Sequence, residues 1–366
     1  MNFIVFLNIN KPLYNALRIL IKDCIIKTKR YFVTIGIKMK KVDFEWMFVL
    51  FGTAVGAGIL FLPLQASASG FIAMVIATIL VLPMIFFAER NVATLVVSYP
   101  EKNVGVTEVF SNELGEFGAF ASKIVYLLSC YTVVLAYAIS LPKAVGTLIS
   151  TIGIDEQFLF HSVWFSFLIF LILITIVELG KNVVLKVMSI VMYPLVASLF
   201  IVSVALIPKW NMSFIESTSL DPLIILKGLV MMIPILVFSM NFNQSISEMS
   251  VYYKQNTDTN AEAKAKTYKN IKIATLGILF FTMFFAFSTI MALQPEQITE
   301  ALNANESILS KIAEVYDASF FGYMSPFIAV AGIVSSFIGV YLGTRESLKS
   351  VIVQIVHKDP ESIKKE

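Results

Sequence analysis

Two stretches carry the residues that could bind a small solute. The first is Gly52-Thr53-Ala54-Val55-Gly56-Ala57-Gly58-Ile59-Leu60-Phe61-Leu62-Pro63, where three glycines and a threonine interrupt an apolar run. Glycine costs roughly 1 kcal/mol against alanine in a helix, so this run is expected to unwind near residues 55–58. A half-helix restarting there would aim free N–H groups and the positive end of its dipole at an anion such as a carboxylate. A packing reading stands beside it, because Gly52-x-x-x-Gly56 also lets a neighbouring helix approach closely. The second stretch is Ile233-Pro234-Ile235-Leu236-Val237-Phe238-Ser239-Met240-Asn241-Phe242-Asn243-Gln244-Ser245. Pro234 weakens a helix, and the amides and serines after it form a polar cluster inside another apolar run. Such a cluster is either an interhelical hydrogen-bond patch or part of a solute path.

A third group, Gly332-Ile333-Val334-Ser335-Ser336, puts two adjacent hydroxyls in a late apolar run. They could bond back to their own helix. They could also join freed carbonyls as oxygen ligands of a hard cation.

Chemistry of other kinds lacks its residues. Asp23, Asp43, Asp155, Asp221, Asp258, Asp317 and Asp359 lie outside the apolar runs or at their ends, and the only histidines are His161 and His357. An intramembrane hydrolase would need paired carboxylates, a Ser–His pair or a metal held by histidines. No Gly-x-x-x-x-Gly-Lys loop points to a nucleotide-driven pump. Cys24 and Cys130 make neither a disulfide framework nor a metal cluster. No enzyme, cofactor or nucleic-acid partner is expected.

The elements that must hold these groups are membrane helices. The chain has 366 residues, 57% hydrophobic and 14% charged, with 31 Phe, and a mean hydropathy of +0.81. Soluble domains run at roughly 45–50% apolar and about 25% charged. With about 20 residues per crossing, eight spans are expected, at 46–66, 71–88, 119–149, 159–177, 183–208, 222–247, 273–293 and 323–343. The two breaks then fall in spans 1 and 6. Interrupted spans in corresponding positions of two halves point to a transporter site at the bilayer midplane.

Basic residues set the orientation. They crowd 1–43, then recur as Lys254, Lys264, Lys266, Lys269 and Lys272, and again as Arg345, Lys349, Lys358, Lys364 and Lys365. Segment 294–317 has Lys311 against Glu296, Glu300, Glu306, Glu314 and Asp317, and 150–161 has no Lys or Arg. Eight spans in the plasma membrane, with both termini cytoplasmic, satisfy this pattern. The expected organisation is a basic segment over 1–43, a transporter region over 44–346 and a charged tail over 347–366. Residues 1–38 could form an amphipathic helix on the membrane surface; the preferred reading is an upstream mis-start, with Met39 the natural start.

Glycines 52–58 with Leu60-Phe61-Leu62-Pro63, Gly70-Phe71 and Leu82-Pro83-Met84 resemble the start of the hydroxy and aromatic amino acid permeases, within the amino acid–polyamine–organocation superfamily. Lys186-Val187-Met188-Ser189, Tyr193-Pro194-Leu195, Phe238-Ser239 with Asn241, Tyr341-Leu342-Gly343 and Arg345-Glu346 continue the resemblance over about 44–350. The bacterial serine and threonine permeases are the most similar in pattern. The resemblance implies a LeuT-type inverted-repeat fold and symport of a small amino acid, serine or threonine before an aromatic one, with Na⁺ or H⁺. By it, the amides of Ala57 and Gly58 would hold the substrate carboxylate within the Ala54, Val55, Gly56 break. Carbonyls of Ala54, Phe238 and Ser239 would hold its ammonium, alongside Met240 and Asn241. Gly52, Val55, Gly332, Ser335 and Ser336 would form a Na⁺ site. Ser335 stands where the serine permeases have lysine, which favours Na⁺. The family has about eleven spans, so the chain reads as truncated after eight.

Two further points stay open at this level. Tyr131 and Tyr137 could face the site or serve packing. Glu248 could relay protons or snorkel to the cytoplasm. Competing readings are a channel, for which no ring of like charge is present, and a membrane subunit or fragment completed by another chain. The oligomeric state is not set by the sequence.

Overall fold

The structure, a computed structural model, describes residues 40–60, 62–150, 163–304, 306–317 and 319–356. The expected start at Met39 and the segment before it, the segment 151–162 with His161, and the tail from His357 lie outside the described residues. Residues 45–366 form one compact unit. It is helical throughout the described residues.

The first span is divided. Helix α1 (Lys41–Ala54) stops, Val55 and Gly56 leave the helix, a 3-10 turn covers Ala57–Leu60, and α2 (Leu62–Ser69) follows. Gly70, at φ +85°, turns the chain into α3 (Phe71–Ser98), a backbone region open mainly to glycine. Then come α4 (Val106–Glu113), α5 (Gly115–Ser150), α6 (Val163–Glu178) and α7 (Lys181–Leu206). A one-turn helix α8 (Ser213–Glu216) leads to α9 (Pro222–Met240). Asp221 caps α9, its Oδ1 accepting the Leu223 N–H at 2.8 Å ahead of Pro222. Asn241 and Phe242 separate α9 from α10 (Asn243–Gln255). Helix α11 (Asn260–Met291), two short helices α12 (Pro295–Asn303) and α13 (Ile308–Val315), and α14 (Ser319–Val356) complete the order.

Among the described residues, six segments are long and apolar enough to cross a membrane: α3, α5, α7 with its 3-10 extension, α9 with α10, α11 and α14. The expected first span is the divided one, and the expected fourth is the shorter apolar helix α6. At 1.5 Å per residue, the 36-residue α5 is about 54 Å long, well beyond the roughly 30 Å hydrocarbon layer. Exposed Ile79, Met84, Phe87, Leu128, Ile139 and Phe167 stud the outer faces of α3, α5 and α6. A face of that kind requires lipid. Pro83, Pro142, Pro194, Pro234 and Pro326 all sit inside continuous helices, a tolerance typical of membrane helices.

The helix that Pro234 was expected to weaken runs on continuously to Met240, and the break falls at Asn241 and Phe242, within the polar cluster after it. Two expectations shift. Span 2 does not stop at 88 but continues to Ser98, because Ala93, Val96 and Val97 carry its buried face onward. The last helix runs to Val356, with Ser347 and Val351 buried, so the residues after 346 begin as packed helix.

Helix α14 is the central element. It packs most extensively on α5, and also on α7, α13 and α10. Its buried face carries Gly332, Ser335, Ser336, Gly339 and Gly343. Small residues at these positions let backbones meet closely where lipid supplies no drive for association.

Candidate functional site

The two breaks lie against the same stretch of α14. A Cβ on Gly332 would stand 3.2 Å from the Gly56 carbonyl oxygen and 3.4 Å from that of Val55. A Cβ on Gly339 would land on the Thr53 hydroxyl, and one on Gly343 would be 3.0 Å from the Gln244 carbonyl oxygen. Thr53 Oγ1 and Ser245 Oγ are 2.7 Å apart, and Ser245 Oγ also donates to the Gly339 carbonyl at 3.1 Å. Thus α1, α10 and α14 meet at a buried node two residues before the first break and three after the second. The node itself was not singled out from sequence, although Thr53 and Ser245 both lay in the two stretches.

At the first break the helical ladder ends by substitution. Gly56 N–H turns to the Ala54 carbonyl at 3.0 Å, so the Gly52 carbonyl loses its i+4 partner. Ser336 Oγ replaces it, lying 2.9 Å from both the Gly52 and Thr53 carbonyls. Val55 N–H still reaches Phe51, and the Gly56 carbonyl accepts Ile59 N–H at 3.2 Å. The first N–H groups of a helical turn have no partner within it, and in the 3-10 turn these are the amides of Ala57 and Gly58. Space beside Gly56 is tight, since a Cβ there would overlap the Tyr137 hydroxyl and come within 2.9 Å of Ser336 Oγ. Beside Gly58 the nearest atom is Phe238 Cε1 at 3.8 Å.

At the second break Asn241 makes the turn. Its Oδ1 accepts Asn243 N–H at 2.8 Å, the local bond through which Asn favours non-helical backbone. Met240 is buried as the last residue of α9. Ser239 Oγ donates back to Ile235 O at 2.8 Å, so its hydroxyl is satisfied within the helix. The Phe238 ring, 54% exposed, reaches across to Gly58 and so joins the two breaks.

All the residues named for the cation set are adjacent in space. Gly52 faces Ser335 Cβ, Gly332 covers the Val55 carbonyl, and Ser336 spans Gly52 and Thr53. The two serines differ. Ser335 Oγ donates to its own helix at Gly332 O, 3.0 Å away, whereas Ser336 bonds across helices. Ser336→Ala should leave two buried carbonyls bare at the end of α1 and cost about 1–3 kcal/mol. Ser335→Ala should cost less than about 1 kcal/mol. Thermal melting of the two purified variants separates them, and equal losses would contradict the assignment.

Tyr137 is buried against Gly56, while Tyr131 is 51% exposed on the outer face of α5. Of the two tyrosines, only Tyr137 meets the break.

One residue escaped the sequence reading altogether. Glu89 lies within α3, 2% exposed, and its Oε1 accepts the Phe242 N–H at 3.1 Å, in the second break. A signal was available: Ala77, Val81, Ile85, Glu89 and Ala93 follow at four-residue steps along the buried face of α3, the spacing of one helix face.

Beyond the break, a cavity of about 930 Å³ opens at the far end of α10. Its walls include Ser247, Glu248, Lys181, Arg345, Glu346 and Lys349. Glu248 pairs with Lys181 at 2.8 Å, and Arg345 with Glu178 at 2.9 Å. Glu248 therefore belongs to the wall of this cavity.

The chain can be compared with known proteins on this basis. The model of the tryptophan/tyrosine permease family matches residues 40–360. The serine transporter SdaC of Escherichia coli strain K12 is 32% identical over 330 residues, covering 88% of this chain and 76% of that protein. The threonine/serine transporter TdcC of Escherichia fergusonii is 29% identical over 345 residues, with the same coverage. TdcC of Yersinia enterocolitica is 29% identical over 337 residues, covering 87% of this chain and 76% of the relative. With helices that cross a membrane several times and two interrupted segments held on one central helix, the chain belongs to the tryptophan/tyrosine permease family, and it is an amino acid permease rather than an enzyme.

Proposed function

We propose that this protein is a secondary transporter that moves a small hydroxyl-bearing amino acid, serine or threonine, across the cell membrane together with a cation, H⁺ or Na⁺. The observation that carries the reading is the meeting of the two breaks. The amides of Ala57 and Gly58 suit a carboxylate, and the chain ends around Ala54, Phe238 and Ser239 offer carbonyls to an ammonium. Tyr137 and Ser336 beside Gly56 add hydroxyls of the kind that would recognise a polar side chain. Substrate names of the relatives point the same way.

The LeuT-type arrangement gives the motion. The divided span with α3, and α9–α10 with α11, would rock against α5, α6 and α14 around the two breaks. The basic residues orient the ends of the helices, so that the cavity beside α10 faces the cytoplasm. Ser247, on the cavity wall, is about 6 Å along α10 from Asn243 at 1.5 Å per residue. The cavity is then the inner route to the site.

Reconstitution decides the matter. Liposomes holding the full chain should accumulate labelled serine or threonine above equilibrium when an inward H⁺ or Na⁺ gradient is imposed. Failure under both gradients, with the protein folded and inserted, would refute the proposal.

A further inference from the structure

Among the described residues, buried polar atoms that lack a hydrogen-bond partner gather around α10 and the elements facing it: Glu89 Oε2, Tyr126 Oη, Asn243 Oδ1, Gln244 Oε1, Ser250 Oγ and Glu346 Oε2. Glu89 is the most enclosed carboxyl of this group. One of its oxygens is engaged by the second break and the other is bare.

No cation neutralises it among the described residues, element by element. Helix α2 has no ionisable residue. On α10, Lys254 spends its ammonium on the carbonyls of Val96, Tyr99 and Glu101, and Glu248 is paired with Lys181. On α11, Tyr268 lies under Arg90, whose guanidinium is 4.7 Å from the ring centre, and bonds to Thr94; Lys264 lies over the same ring, Lys266 pairs with Glu262 at 2.8 Å, Lys272 is exposed and Lys269 half-buried, and none of them reaches the bare Glu89 oxygen. On α9, Lys227 lies toward the opposite end from the break. On α4, Glu108 caps Gly105 N–H, and Glu113 ends the helix. From α5, Tyr126 stands within electrostatic range of Glu89, Glu248 and Glu346.

We propose that Glu89 is a proton-binding site, and that its proton is linked to amino acid binding at the break between α9 and α10. The proposal rests on reading that break as part of the substrate site. An isolated carboxylate is costly away from water, whereas a neutral carboxylic acid is not. The bond formed is O–H at Oε2, and the proton comes from water. The charge change is felt at once by the break. A carboxylate is the stronger acceptor for Phe242 N–H and a neutral acid the weaker one, so loading the proton loosens the tie between α3 and the turn that Asn241 makes. Substrate contacts made by that turn and proton occupancy of Glu89 then share one coupling free energy, acting equally in both directions. Tyr126 and Glu346 extend the polar path toward the cavity. Glu346 Oε1 accepts from Thr107 N and Oγ1, both at 3.2 Å, and its other oxygen is bare.

Binding of labelled L-serine to the purified full chain, measured without Na⁺ between pH 5.5 and 8.5, provides the test. The wild-type Kd should rise with pH, approaching about tenfold per pH unit once Glu89 is deprotonated. Serine addition in weak buffer at the alkaline end should take up about one proton per site. Glu89→Gln should hold the low-pH affinity across the range and take up none. Glu248→Gln and Glu346→Gln should keep the wild-type slope. The proposal is overturned if Glu89→Gln keeps the slope, if the slope vanishes with Glu346→Gln or Glu248→Gln instead, or if wild-type protein shows neither slope nor proton uptake. Infrared difference spectra on a pH jump, without substrate, separate the two levels of inference. A protonated-carboxyl band present in wild-type and absent in Glu89→Gln supports the proton site even if serine fails to bind. Wild-type protein without such a band refutes the site whatever the transporter carries. Should Glu89→Gln not fold, wild-type proton uptake and the infrared band still decide the question.

Discussion

Replacing Gly339 by alanine should be among the most damaging single-methyl changes in this protein. The added Cβ would fall on Thr53 Oγ1 and lie 2.7 Å from Thr53 Cβ. Neither atom can give way cheaply. Thr53 Oγ1 is held by the Val49 carbonyl at 2.6 Å and by Ser245 at 2.7 Å, and its Cβ is fixed to the backbone one residue before the helix ends. Overpacking typically costs about 1–3 kcal/mol, and this site belongs at the upper end because helices α1 and α14 must separate. Separation would also pull Ser336 from the Gly52 and Thr53 carbonyls. Expected results are a clear fall in melting temperature and a loss of serine uptake of roughly tenfold or more, taking about 1.4 kcal/mol per decade. Gly277→Ala is the control. Its Cβ would meet only Phe51 Cδ2 at 4.0 Å, and alanine is the better helix former, so stability should hold or rise. In a Thr53→Ala background, Gly339→Ala should hurt less, because the hydroxyl it strikes is gone. Additive losses in that double variant would show that the damage lies elsewhere than in this contact.

The same geometry explains what was readable beforehand. Breaks in membrane helices announce themselves through residue type, since only glycines or polar side chains leave a ladder without a lipid-facing penalty. Both breaks were therefore visible within residues 52–58 and 239–245. Their exact form was not. Pro234 was expected to weaken the helix, yet α9 runs through it, since membrane helices tolerate proline, and Asn241 makes the turn through its side-chain bond to Asn243 N–H. Glu89 was lost for a related reason. The adjacent Glu89-Arg90-Asn91 triplet looks like the edge of an apolar run when hydropathy is averaged along the chain. Only the four-residue rhythm of Ala77, Val81, Ile85, Glu89 and Ala93 reveals that the carboxyl points inward while Arg90 turns to Tyr268. Meetings between distant segments, such as Thr53 with Ser245 or Gly56 with Tyr137, leave no local trace, because nothing in one segment specifies which face of another will reach it.

Gly56→Ala should reduce transport sharply, and for a reason that can be isolated. The backbone at Gly56 is not in the left-handed region; the glycines that are, among the described residues, are Gly70, Gly115 and Gly180. Conformational freedom is thus not what this position requires of glycine. Space is what it requires, because the new Cβ would overlap Tyr137 Oη, approach Tyr137 Cζ at 3.2 Å and reach Ser336 Oγ at 2.9 Å. The overlap sits at the junction of α1, α5 and α14, next to the amides of Ala57 and Gly58 that open the 3-10 turn. A displaced turn there would misaim the amides proposed to hold the carboxylate. A loss of about 1–3 kcal/mol corresponds to roughly 5- to 150-fold in serine uptake at limiting substrate. Tyr137→Phe removes the hydroxyl that collides, so the double variant should recover a measurable part of the uptake that Gly56→Ala loses. Tyr137→Phe alone should reduce uptake mildly if its hydroxyl also touches substrate. A purely flexible role for Gly56 makes the opposite prediction, because flexibility lost to a methyl group is not restored by deleting an oxygen on α5. Uptake by the single and double variants, with insertion matched by quantitative immunoblot, distinguishes them. Absence of any rescue would mean that Ser336, not Tyr137, sets the limit on this turn, and Gly56→Ala with Ser336→Gly would then be the pair that recovers.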